Sequence, residues 1–148
     1  MNAPPKRPDR RSDARERALY LLYEAQAKGI DPTVALEVQI VEPDEMTSLL
    51  VRGVAEHRDR LDAAIAARAT GWSLERMPVL DLSVLRLGAF ELAERRDVPV
   101  AVVIDEAVEL AKRFSTDNSG RFVNGVLSAL VADLRAGDGA PVAVPTES

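Results

Sequence analysis

The sequence predicts an all-α protein, and three observations predict it. Apolar residues recur at helical spacing through most of the chain. No segment alternates apolar and polar residues cleanly over a strand length. The apolar stretches are punctuated by residues that start or stop helices. At 148 residues with 47% apolar side chains, the chain has enough material for one compact domain with a buried core.

Taken in order, residues 1–11 are rich in Pro and Arg and read as a basic arm that is disordered when free. Ser12 reads as an N-cap, with Asp13 and Glu16 in the first turn, where acids suit the helix dipole. That helix runs to about Lys28 and stops at Gly29, with Ala18, Leu19, Leu22 and Ala25 as its core stripe and Tyr23 at the edge. Pro32 opens a short helix over 33–40. Pro43-Asp44 starts a long amphipathic stretch carrying Met46, Leu50, Val54, Leu61 and Ile65, which either bends near Gly53 or breaks near His57-Arg58 and ends at Thr70-Gly71. Trp72 to Met77 reads as one helical turn. Pro78 starts a helix that is apolar almost all round, which predicts a central position. Pro99 opens a helix over 99–114. Its beginning, "VAVVI", has the look of a buried strand, but "DEAVELAKRF" extends the helical phase. The last helix covers 118–135. The folded domain is thus expected over 12–136, with 137–148 a disordered, low-complexity tail.

The net charge of −5 hides an asymmetry: residues 1–17 carry +3 and the remaining 131 carry −8. A basic arm on an acidic body suits a polyanionic partner, and equally a solubilising tail. Arg15 and Arg17 fall in the first turn of the first helix, where positive charge is mildly unfavourable, so anion binding explains them better than stability does.

Other chemistry is missing from the sequence. No apolar run approaches the ~20 residues of a membrane span, and the basic N-terminus lacks the apolar core of a signal peptide. The absence of cysteine removes disulfides and thiolate chemistry and fits a cytoplasmic protein. His57 is the only histidine and reads as a helix-edge residue rather than a ligand. There is no Gly-rich phosphate loop and no nucleophile elbow. No catalytic residue, metal or cofactor is expected; Asp105, Glu106 and Glu109 read as a solvated helix face, the alternative being that Glu106 pairs with Arg86 across two helices.

One feature points toward binding. At about 100° per residue, Val126, Leu130, Val123, Leu134 and Leu127 form the buried stripe of the last helix, with Phe122 on its border. Just outside lie Ala129, Asn118, Gly125 and Arg121. An aromatic ring beside small residues, an amide and a guanidinium is a shape on which a nucleobase can stack. The alternative is that Phe122 is core and Gly125 admits a neighbouring helix.

The segments Arg121 with "FVNGVL" (Phe122–Leu127), "DVPVAVVIDEAVELAKRF" (Asp97–Phe114), "VLRLGAFEL" (Val84–Leu92) and "ARERALYLLYEAQ" (Ala14–Gln26) resemble the NusB family of bacterial transcription antitermination factors, in the same order and over about 14–135. The resemblance implies about seven helices in two packed three-helix bundles and no enzymatic activity. It implies binding of single-stranded boxA RNA, with the ribosomal protein NusE as partner, within the RNA polymerase antitermination complex that reads through ribosomal RNA operons. It places Arg10, Arg11, Arg15, Asn118, Arg121 and Phe122 on the RNA surface, and Tyr23 and Asp81 on the NusE surface. Two positions depart from the family's pattern: Leu82 stands where a basic residue usually follows the central-helix acid, and Ser12-Asp13 interrupts the arm. Leu82 predicts an exposed apolar contact, which motivates a second reading, a helical interaction module acting as a homodimer without intrinsic boxA binding.

Overall fold

The computed structural model describes residues 10–135, and the arm over 1–9 and the tail over 136–148 lie outside the described residues. Among the described residues seven α-helices follow one another: α1 Arg10–Lys28, α2 Pro32–Glu37, α3 Glu45–Glu56, α4 Arg58–Arg68, α5 Val79–Glu94, α6 Val100–Phe114 and α7 Asp117–Arg135, with a 3-10 turn at Leu74–Arg76 before α5. No strand occurs among the described residues.

The boundaries have local causes. Gly29, at φ 69°, supplies the left-handed residue that ends α1. Asp31 and Asp44 cap α2 and α3, accepting from the backbone N–H of Thr33 at 2.8 Å and of Thr47 at 2.7 Å. The long amphipathic stretch breaks at His57, whose ring stacks on Phe90 with centroids 6.0 Å apart. Thr116 caps α7, its hydroxyl oxygen accepting from the Ser119 N–H at 2.9 Å.

Helices α1, α2 and α3 pack together, as do α5, α6 and α7, while α4 leans on α5 and α7. α5 is shared: it touches α1, α3, α4, α6 and α7, and every residue from Asp81 to Ala93 is buried, as a helix apolar almost all round predicts. Where α3 meets α5 the approach is so close that a Cβ on Gly53 would fall 2.1 Å from the Phe90 ring. Two arginines tie the far ends. Arg135 of α7 donates to the carbonyls of Glu91, Leu92 and Arg95 at 2.9–3.0 Å, and Arg96 donates to those of Leu134 and Arg135. Each closes the other helix's orphan carbonyls.

The start of α1 differs from the sequence expectation. Arg10 and Arg11 are already helical, and Ser12 is not a cap: its hydroxyl donates to Glu106 Oε1 at 2.8 Å. A long-range carboxylate takes the hydroxyl that a cap would have turned on its own backbone. α2 ends at Glu37, short of residue 40.

Candidate nucleic-acid interface

The beginning of α7 is held from inside. Ser119 Oγ donates to Asp81 Oδ2 at 2.9 Å and lies within 3.0 Å of the Ser115 and Thr116 hydroxyls. A Cβ on Gly120 would sit 2.6 Å from Lys112 Cγ, so α6 and α7 approach here as only glycine allows. This anchoring turns Asn118, Arg121 and Asn124 outward, all exposed. Arg121 donates through Nη2 to Asn118 Oδ1, laying the guanidinium along the helix surface.

Phe122 is half-buried on the edge of the core, and its ring lies 6.2 Å from that of Trp72, tilted by 57°. Trp72 remains 49% exposed, so the pair forms an aromatic edge open to solvent. Gly125 settles one of the two readings of its own position. A Cβ there meets nothing within 4 Å, so no helix packs against it, and the surface beside Phe122 is low and open. On the other side of the helix, Lys112, Arg121 and Asn124 line a shallow groove of about 350 Å³ between α6 and α7 with Val108, Gly120 and Asp117.

Arg10 and Arg11 occupy the first described turn of α1, both exposed. Arg15 does not join them, and this corrects the sequence expectation. It is 2% exposed and turned inward, donating to Glu91 through Nε at 2.7 Å and Nη2 at 2.9 Å, and to Glu106 through Nη1 at 3.4 Å. Burial opposes its charge, but the hydrogen bonds and negative charge of Glu91 and Glu106 outweigh that and raise its pKa further above neutrality. Arg17 is likewise structural, donating to the carbonyls of Val41 and Glu42 in the α2–α3 loop. The alternative Arg86–Glu106 pair does not form. Arg86 instead makes a bidentate contact with Asp62 at 2.7 and 2.9 Å.

On the partner side, Tyr23 is 43% exposed and borders an apolar groove of about 500 Å³ with Tyr20, Pro78, Val79, Leu80 and Phe114. Asp81 is not the surface acid that was expected. It is 5% exposed, one oxygen bound to Ser119 and Oδ1 without a partner among the described residues. Leu82 is also buried, at 5%, so the exposed apolar contact it was expected to provide is absent. One feature explains both: α5 is covered almost all round from Asp81 onward, so that Asp81 and Leu82 are already enclosed by its neighbours.

Trp72 and Lys112 were missed by sequence reasoning. Trp72 was read only as part of a helical turn, although it is the chain's single tryptophan. Lys112 carried no signal, because its place beside Arg121 depends on how closely α6 approaches Gly120. Among the described residues no group of His, Asp or Glu is placed to hold a metal ion, and no helix is long and apolar enough to cross a membrane.

The sequence model of the NusB family matches residues 12–132. The transcription antitermination protein NusB of Saccharopolyspora erythraea is 50% identical over 126 residues, covering 81% of this chain and 85% of that protein. That of Anaeromyxobacter dehalogenans is 48% identical over 132 residues, covering 84% and 92%. Among solved structures, T. maritima NusB superposes with a TM-score of 0.76 at 32% identity, covering 90% of this chain and 94% of that one. A crystal structure of the antitermination factors NusB and NusE in complex with double-stranded RNA gives a TM-score of 0.72 at 27% identity, covering 83% and 96%.

Proposed function

We infer the function from family and surface together: the chain belongs to the NusB family, and it acts as an RNA-binding transcription antitermination factor. Its ligand is single-stranded boxA RNA, its partner is NusE, and it works in the cytoplasm with RNA polymerase to promote read-through of ribosomal RNA operons. It is a binding protein rather than a catalyst.

The observation that carries the RNA reading is the open ground beside Phe122. Gly125 faces empty space, Asn118 and Arg121 stand exposed, and an aromatic ring lies at the border. A glycine inside a helix costs about 1 kcal/mol relative to alanine, and packing gives no return on it here. Room for a base does. We assign Phe122 to stacking, Arg121 and Asn118 to phosphate and base-edge contacts, and Arg10 and Arg11 to phosphates. Arg15 has no part in this assignment, being spent on Glu91 and Glu106. NusE is assigned to the groove beside Tyr23, with Asp81 acting through Ser119 rather than by direct contact.

A boxA oligonucleotide titrated against a scrambled one, at several salt concentrations and with and without NusE, tests this. Four to six neutralised phosphates give a log–log salt slope of about −3 to −4 on single-stranded RNA. Equal, weak binding of both oligonucleotides in the presence of NusE would refute the assignment.

A further inference from the structure

Of the contacts assigned above, Asn118, Arg121 and Phe122 lie at the start of α7, and the structure continues on both flanks of that helix. On one flank is Trp72, half-exposed and 6.2 Å from Phe122. On the other is the groove lined by Lys112, Arg121 and Asn124. Between them the helix surface is low, because Gly125 carries no side chain and Ala129 only a methyl. We propose that the RNA strand crosses α7 rather than following it, with Trp72 as a second base-stacking platform and the Lys112–Arg121–Asn124 groove holding the backbone and a base edge on the far side. This proposal rests on the RNA-binding reading and extends it to a path and to residues outside it.

Three features support the path. The two rings are tilted by 57°, not parallel, so one base cannot lie flat on both. Together they suit two successive bases that are splayed apart, as single strands are commonly bound. Next, the helix with its side chains is about 10–12 Å across, comparable with roughly three stacked bases at about 3.4 Å each. Finally, the far groove has the right donors. Lys112 is held over Gly120 by its stem, Arg121 lies along the helix, and Asn124 Oδ1 accepts from Ser128 Oγ at 3.3 Å. That contact leaves the Asn124 amide N–H groups for a base edge or phosphate. The Asp117 carboxylate shares the groove and offsets one of its two cations, which makes this a contact for one phosphate and not a strong anion trap.

Because Trp72 is the only tryptophan, the unmodified chain reports on its own path. Binding of a boxA oligonucleotide is followed simultaneously by anisotropy of labelled RNA and by intrinsic tryptophan fluorescence. The expected result is quenching that follows the anisotropy curve, a loss of about five- to a hundred-fold in affinity for Trp72→Ala, and near-retention for Trp72→Phe. Lys112→Gln is expected to reduce the salt slope by about 0.7. Unchanged fluorescence at saturating RNA, together with wild-type affinity in Trp72→Ala, would overturn the crossing path while leaving RNA binding intact. No RNA binding by the wild-type chain, with or without NusE, would overturn the functional reading and this proposal with it.

Discussion

Arg15 and Glu91 face each other across 76 positions of sequence with two parallel hydrogen bonds, 2.7 and 2.9 Å long, and both side chains almost wholly removed from water. A pair so placed fastens α1 to the central helix. Removing one member strands the other charge, at a cost of about 3–5 kcal/mol. Arg15→Ala is therefore expected to lower stability by that order in denaturant titration. RNA affinity per folded molecule should change less than twofold. A specific loss of RNA binding at full stability would return Arg15 to the RNA surface.

Phe122 and Gly125 give opposite predictions for stability and binding. Phe122→Ala is expected to cost about 1–3 kcal/mol of RNA binding. Gly125→Ala meets nothing within 4 Å and should raise stability by up to about 1 kcal/mol. Gly125→Leu, by filling the low ground, should weaken RNA binding without unfolding the protein. Thermal melts alongside RNA titrations separate the two effects.

The Ser119–Asp81 hydrogen bond joins the start of α7 to the first turn of α5. A bond to a buried carboxylate is worth about 1.5–3 kcal/mol. A double-mutant cycle of Ser119→Ala and Asp81→Asn should return a coupling of that size in stability. If Asp81 instead met a partner directly, Asp81→Asn would weaken NusE binding while Ser119→Ala left it unchanged.

Acid should weaken the fold through its caps. The Asp44 carboxyl is held below the usual carboxylate range, first by the Thr47 backbone N–H and then by its hydroxyl. A depressed carboxyl contributes stability above its unfolded pKa of about 3.9 and loses it as pH falls through the folded value. Asp133, held down by its hydrogen bond to Arg68, acts with the same sign. Asp44→Asn keeps a cap acceptor but removes the titration, so its stability deficit relative to wild type should shrink below about pH 4. A deficit independent of pH would show that Asp44 does not lose its cap on protonation.

The helices were legible because their causes are local. Gly29, Pro32, Asp44 and Pro78 mark the boundaries, and the near-continuous apolar face of α5 gives its central place. Phe122 and Arg121 could be placed on one face of a helix by periodicity. Arg15 could not be read correctly, because the carboxylates that claim it stand on α5 and α6, far away in sequence. Asp81 and Leu82 misled for a related reason: a first-turn residue reads as exposed until neighbouring helices cover it. Trp72 gained meaning only when α7 brought Phe122 beside it.

The sharing of α5 also governs how the protein comes apart. The α1–α3 group completes its interior against α5, a helix that also belongs to the α5–α7 group. A cavity introduced where the α1–α3 group meets α5 is therefore expected to loosen the α5–α7 group as well, through the one element they share. The protein is therefore expected to open as a single cooperative unit, with fluorescence of Trp72, beside α7, and amide exchange in α2, in the other group, reporting the same global transition.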